Sequence, residues 1–277
     1  MTPEPAVPRP AATVLLVRDA PRDGGSPGGQ RPLQVFLQRR VTGMAFAGGM
    51  TVFPGGGVDP ADAPDPTLWS GPDTAWWGAR LSADADLAGR LVHAAVRETF
   101  EECGVLLAAG VDGSVPDPAA LHGERADLVA RRRTLAQVLA GAGLVLRADL
   151  LTAWARWVTP PESPRRYDTA FFVAAVPAGQ AADAHTTEAV EAAWWHPAEA
   201  LARWKAGEME LMAPTFRTLQ EIAEYPDTAS VLAAAAQREV RPVMPRIRRE
   251  GDEVVVVLPG DPGFEVAAGH LRPADLT

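Results

Sequence analysis

The chain has 277 residues, 47% of them hydrophobic, which suits one large domain or one domain with substantial additions. Its formal charge of −9 counts against a broad nucleic-acid surface, which needs the opposite sign, yet allows a small anionic ligand held by local cations. No run approaches the roughly 18 to 20 apolar residues that cross a membrane, the N-terminus lacks a secretory pattern, and one cysteine permits no internal disulfide, so a cytoplasmic protein is expected.

Residues 1–10 are rich in proline and are expected to form a disordered tail. Residues 12–18 and 33–40 read as strands, separated by a Gly/Pro-rich loop over 20–32. A short strand over 50–53 leads into Phe53-Pro54-Gly55-Gly56-Gly57-Val58-Asp59, whose backbone can approach a ligand closely. Residues 59–85 read as an insertion carrying Trp69, Trp76 and Trp77, aromatics expected to staple the insertion to the body rather than line a pocket.

A helix is expected from Asp84 or Asp86 to Cys103, closed by Gly104 as a left-handed cap. At about 100° per residue, Glu98, Glu101 and Glu102 share one face, while Val92, Val96, Phe100 and Cys103 gather on the other. Three carboxylates at this spacing repel one another. A divalent cation relieves that repulsion, and all-oxygen ligands favour Mg2+ or Mn2+ over zinc. Arg97 stands beside the cluster, where it can pair with a carboxylate and fix its rotamer.

Asp117-Pro118 opens a second helical region running to residue 140, with Arg131 to Arg133 read as a solvated face. Strands are expected over 154–158, 169–176, 191–195 and 254–258, and helices over 197–205, 214–224 and 230–239. Strands interleaved with helices support an α/β class. The histidines at 93, 122, 185, 196 and 270 show no zinc-ligand spacing.

Residues 97–105, Arg-Glu-Thr-Phe-Glu-Glu-Cys-Gly-Val, together with the glycine-rich turn, resemble the Nudix hydrolase signature G-x5-E-x7-R-E-U-x-E-E-x-G-U, U being bulky and apolar. Asp62 follows Gly56 after five intervening residues, where the signature has its first glutamate, but residues 63–96 separate it from Arg97 where the signature has seven. Whether Asp62 replaces that glutamate is left open. The resemblance implies an α/β/α sandwich with a mixed β-sheet, an insertion in the Nudix box and a C-terminal extension. The domain would span 11–225, with 226–277 packed on it.

Other segments look like the coenzyme A diphosphatase branch of that family: Val35 to Arg40, Val52 to Gly56, the split box, Trp157-Val158-Thr159-Pro160, Arg166 to Phe172 and Trp195 to Leu201. The implied activity is metal-dependent hydrolysis of coenzyme A or an acyl derivative to 3′,5′-ADP and a phosphopantetheine product. ADP-ribose, nucleotide sugars, dinucleotides and capped RNA are rival substrates, and a non-catalytic nucleotide sensor is the rival class. The expected metal ligands are Glu98, Glu101 and Glu102, with Glu101, Glu102 and Arg97 in the catalytic centre. Glu188 is the candidate general base, with Glu191 as runner-up. Gly55 and Gly56 would bring main chain to the metal site, and Arg39, Arg40, Arg165 and Arg166 are candidates for phosphate recognition, a task suited to the guanidinium fork. Alternation puts Arg39 and Arg40 on opposite faces, so one of them at most should reach the site. A small nucleoside diphosphate derivative is the expected partner, with homodimerisation left open.

Overall fold

The computed structural model describes residues 5–21, 32–43, 47–184, 189–250 and 253–259. Strand β1 (Arg9–Asp19) is the centre of the molecule because both of its faces are apolar. Ala12, Val14 and Leu16 enter one core cluster and Leu15 and Val17 the other, the period of two that a strand imposes. Strand β2 (Leu33–Arg40) runs antiparallel to the far end of β1 and folds back on β3 (Thr51–Val52). Strand β4 (Gly55–Gly57) takes over as partner of β1 at its near end, with Thr13 opposite Gly55. β1 therefore changes partner along its length.

The insertion is more ordered than its Asp/Pro/Gly content suggests. A 3-10 turn at Pro60–Asp62 is followed by β5 (Trp69–Ser70) and helix α1 (Thr74–Leu81), which starts at an Asp73 cap and stops at Ser82 with φ of 53°. Trp77 is fully buried and meets Phe172 edge-on at 5.6 Å, so it does staple the insertion to the main sheet. Helix α2 (Ala85–Cys103) follows. Asp84 accepts the Leu87 N–H at 2.8 Å at its start, and Gly104 ends it at φ of 70°.

Strand β6 (Ala108–Gly110), helices α3 (His122–Val129) and α4 (Leu135–Ala142) and strand β7 (Leu144–Arg147) come next. The single helical region expected after Asp117 is broken in two, because Arg131 adopts φ of 55° and Thr134 starts a fresh capping box with Gln137. β5, β7 and β6 form a small separate sheet. β8 (Thr152–Val158), β9 (Tyr167–Ala175) and β10 (Ala189–Trp195) return to the main one, followed by α5 (Pro197–Lys205), α6 (Ala213–Ile222) and α7 (Thr228–Gln237). β11 (Pro242–Val243) and a hairpin of β12 (Arg246–Glu250) and β13 (Glu253–Val257) complete the described chain.

The main sheet has the order β10-β2-β1-β9-β8-β11 and is mixed, with β1 parallel to β9 and antiparallel to β2. α2 covers one face through Leu91, Val92, Val96 and Phe100, while Leu219 and Ile222 of α6 and Val231 and Ala235 of α7 cover the other. This is the α/β/α sandwich that the sequence led us to expect. Residues 226–240 pack against this body. Arg80 of α1 donates to the Ala235 carbonyl at 2.8 Å, and Ser82 Oγ to that of Val240 at 2.9 Å.

Residues 9 and 10, assigned to the N-terminal tail from sequence, belong to β1 instead. β1 starts at Arg9, whose N–H donates to the Arg166 carbonyl, so parallel pairing with β9 fixes the last residues of that segment. Among the described residues, no helix is long and apolar enough to cross a membrane.

Candidate active site

Arg97, Glu98, Glu101, Glu102 and the glycines that sequence singled out meet where α2 passes under β4. Burying the apolar side of α2 leaves Glu98, Glu101 and Glu102 facing the glycine-rich strand. Gly56 makes that approach possible. A Cβ there would collide with the Glu98 carboxylate, its Cδ being 2.7 Å away. Glu102 is buried, and its Oε2 accepts the Gly55 N–H at 2.8 Å and a close hydrogen bond from Gln38 Nε2. Two donors on one oxygen fix this carboxylate's rotamer.

Arg97 organises the rest. Its Nε and Nη2 donate to the two oxygens of Asp62 at 2.8 and 2.9 Å, Nη2 also donates to the Gly57 carbonyl at 2.9 Å, and Nη1 donates to Glu98 at 2.8 Å. Glu101 lies 3.4 Å from the same nitrogen. Burial alone would depress the Arg97 guanidinium, but the Asp62 hydrogen bonds and the charges of Glu98, Asp62 and Glu101 raise it, so it is a permanent cation.

Asp62 also accepts the Asp59 N–H at 2.7 Å and faces His93 Nδ1 at 3.1 Å. A carboxylate can only accept, so His93 carries a proton on Nδ1. Burial pushes Asp62 upward, but the hydrogen bonds from His93 and Arg97, aided by the Arg97 charge, hold it below the ordinary carboxylate range. Glu101 goes the other way. Burial raises its pKa, and Arg97 offsets this only in part.

Asp62, Arg97, Glu98, Glu101 and Glu102 line a polar cavity of about 690 Å3, together with Arg40, Arg131 and Arg133. Among the described residues, no three Asp, Glu, His or Cys side chains converge as a ready-made ligand set. The carboxylates form a wall. A second cavity of about 500 Å3 is lined by apolar groups that include Met50, Phe53, Trp157, Phe171 and Leu211. The two adjoin, sharing Arg40, Gly55, Gly56 and Gly57.

A family model described as the NUDT19 Nudix domain matches residues 77–222, more than half of the chain. The chain belongs to the Nudix hydrolase family. The acyl-coenzyme A diphosphatase NUDT19 of Gallus gallus is 28% identical over 298 residues, covering 91% of this chain and 79% of that protein. The Homo sapiens protein of the same name is 28% identical over 305 residues, covering 94% and 81%. The crystal structure of a Nudix hydrolase from Alicyclobacillus acidocaldarius superposes with a TM-score of 0.66 at 30% identity, covering 87% of this chain and all of that one. This chain is accordingly an enzyme of the Nudix hydrolase type.

Within the Nudix box, Asp62 is buried against Arg97 although the insertion parts them in sequence. Sequence left open whether Asp62 replaces the signature's first glutamate; in the structure its carboxylate holds Arg97. Arg40 lines both cavities, whereas Arg39 lies on the exposed side and pairs with Glu191 at 3.6 Å, consistent with strand alternation. That pair also takes Glu191 away from the cavities, so it is not placed to act as a base. Arg166, expected at the phosphates, is instead buried and donates to the carbonyls of Thr159 and Ala6, because it fastens the N-terminal segment to the β8–β9 turn. Arg165 is exposed and lines neither cavity. Glu188 and His185 lie outside the described residues.

Sequence reading missed Gln38, although a polar residue after Val35-Phe36-Leu37 was the available signal. Arg131 is exposed, as a solvated face requires, but with Arg133 it also lines the polar cavity. The joining of two cavities has no signature in sequence.

Proposed function

We propose that this Nudix hydrolase cleaves the diphosphate linkage of coenzyme A or an acyl derivative, giving 3′,5′-ADP and the corresponding phosphopantetheine. One observation carries the reading. A carboxylate-walled polar cavity lies directly beside an apolar one across Arg40 and Gly55 to Gly57, which suits a substrate whose diphosphate joins a charged nucleotide to a long, uncharged arm that ends in an apolar chain in the acyl derivatives. The names of the diphosphatase relatives support the same choice.

The donor set suits a hard divalent cation. Glu98, Glu101 and Glu102 present only carboxylate oxygens, in a cavity where Arg97 is shared among Asp62, Glu98 and Glu101. These three glutamates would hold Mg2+ or Mn2+, with the main chain of Gly55 and Gly56 alongside. When bound, such an ion neutralises phosphate charge and lowers the pKa of nearby water. Glu101 and Glu102 act at the reacting bond, and Arg97 fixes the carboxylates in place without needing to touch substrate. Arg40, at the junction of the cavities, steers the diphosphate across it.

A hydrolysis assay with Mg2+ or Mn2+, separating and quantifying the two phosphomonoester products and run over coenzyme A, acyl-coenzyme A, ADP-ribose, a nucleotide sugar and a dinucleotide, tests this. The highest kcat/KM is expected for the coenzyme A compounds, with 3′,5′-ADP as product. Turnover of the other diphosphates alone would overturn it.

A further inference from the structure

Two cations of the polar cavity are not used by the diphosphate chemistry described above. Arg131 and Arg133 stand on the turn between α3 and α4 and line the same cavity as Glu98, Glu101 and Glu102. The turn is fixed by its own backbone. The Arg131 N–H donates to the Leu128 carbonyl and the Arg132 N–H to that of Asp127, both at 2.8 Å, and Thr134 then caps α4. The guanidinium groups are thus carried on a set frame.

Their ion pairs are long. Arg131 Nη1 lies 3.5 Å from Asp59 Oδ2 with 86% of its side chain exposed, and Arg133 Nη1 lies 3.9 Å from Glu124 with 38% exposed. The buried arginines behave differently. Arg125 and Arg156 each clasp an aspartate with short bidentate contacts and bind main-chain carbonyls besides. Long contacts in partial solvent contribute little, so exchanging them for a phosphate dianion is favourable. In a chain of net charge −9, two such arginines lining a carboxylate-walled cavity call for an anionic group of the ligand.

We propose that Arg131 and Arg133 form a phosphomonoester subsite that reads a second phosphate on the nucleotide half of the substrate, separate from the diphosphate being cleaved. The inference rests on the diphosphatase reading and adds an orientation to it. The doubly phosphorylated nucleotide occupies the polar cavity, and the non-nucleotide arm enters the apolar one.

The experiment is calorimetric titration of the full chain with 3′,5′-ADP and with 5′-AMP, which differ by that one phosphate. Because Arg131 sits at φ of 55°, a conformation that favours glycine, Arg131→Gly removes the guanidinium while relieving backbone strain, and it is combined with Arg133→Ala. An R131K/R133K variant keeps the charge and loses the fork. Wild type is expected to bind 3′,5′-ADP about ten-fold or more tightly than 5′-AMP, as charge-assisted hydrogen bonds predict. The Gly/Ala variant should narrow that ratio to about two-fold or less, with the lysine pair in between.

Equal affinity of wild type for the two nucleotides, including no binding of either, overturns the subsite. So does a variant that weakens both nucleotides equally, since the arginines would then read the shared 5′-phosphate. Coenzyme A hydrolysis by the same wild-type preparation judges the diphosphatase reading independently. Hydrolysis without nucleotide discrimination leaves that reading standing and removes only the subsite.

Discussion

Asp62 grips Arg97 with both carboxylate oxygens although the two residues stand 35 positions apart in sequence. The Asp62 side chain is 1% exposed and that of Arg97 12%, so neither charge has water to fall back on. Removing one partner of such a pair costs about 3 kcal/mol or more. Asp62→Asn is therefore expected to lower unfolding stability by about that amount and to reduce kcat by about ten-fold or more, because Glu98 and Glu101 lose their fixed cation. The stability loss also depends on pH. Asp62 has a folded pKa below its ordinary value of 3.8, so its contribution is complete above 3.8 and is lost as pH falls through the folded value. Denaturant titrations of both proteins should show a constant gap at neutral pH that closes in strong acid.

Glu101 and Glu102 separate function from folding. Glu101 has a pKa raised above its ordinary 4.5 by burial, so the folded state favours its protonated form. That stabilisation is present below 4.5 and is lost as pH rises through the folded value, leaving the ionised group a burden at neutral pH. Glu101→Gln should then keep an unfolding midpoint at pH 7 no lower than wild type. Glu102→Gln preserves an oxygen able to accept the Gly55 N–H. Both are expected to lose about a hundred-fold or more in kcat, measured at saturating Mg2+. Wild-type turnover in both would remove these carboxylates from the mechanism.

Gly56 tests the approach of β4 to α2. Its Cβ would meet the Glu98 carboxylate, so Gly56→Ala must displace either the strand or the side chain. Overpacking of this kind costs about 1–3 kcal/mol. Titration of the purified protein with Mn2+ should show affinity weakened by about ten-fold or more, a displacement of metal-site geometry that stability alone would not reveal.

Local pattern was enough for the elements that bury one face against the core. The period of β1, the Asp84 cap and Gly104 stop of α2, and the opposition of Phe100 to the glutamates all follow from spacing along one segment. What sequence did not give was pairing between distant segments. Asp62 could be located only once the insertion folded as α1 and returned the chain to Arg97. Gln38 likewise acquires its partner Glu102 only when β2 and α2 pack together. Arg166 misled for a related reason. A basic residue near the site suggests phosphate, but its carbonyl partners on Ala6 and Thr159 come from two other segments.

The two neighbouring tryptophans of the insertion should behave oppositely. Trp77 is fully buried against Phe172, whereas Trp76 is 48% exposed at its edge. Trp77→Ala is expected to cost about 3–5 kcal/mol, the range for deleting a buried aromatic, and Trp76→Ala about 1 kcal/mol or less. Chemical denaturation of both variants measures the difference. Similar small losses would show that the insertion is a detachable loop rather than part of the body.

Arg40 and Arg166 offer a contrast between a cation facing substrate and one facing main chain. Arg40 lines both cavities at their junction, where a diphosphate must cross. Arg166 is 9% exposed and donates to the carbonyls of Thr159 and Ala6, tying two separate segments together. Arg40→Ala is expected to raise KM or lower kcat/KM by about ten-fold with little change in unfolding midpoint, since one charge-assisted contact with phosphate is lost. Arg166→Ala should instead cost about 1–3 kcal/mol of stability, with KM within about two-fold of wild type below the melting range. Steady-state kinetics and thermal unfolding on the same preparations separate the two. An increase in KM for the Arg166 variant without loss of stability would return that residue to the phosphate site.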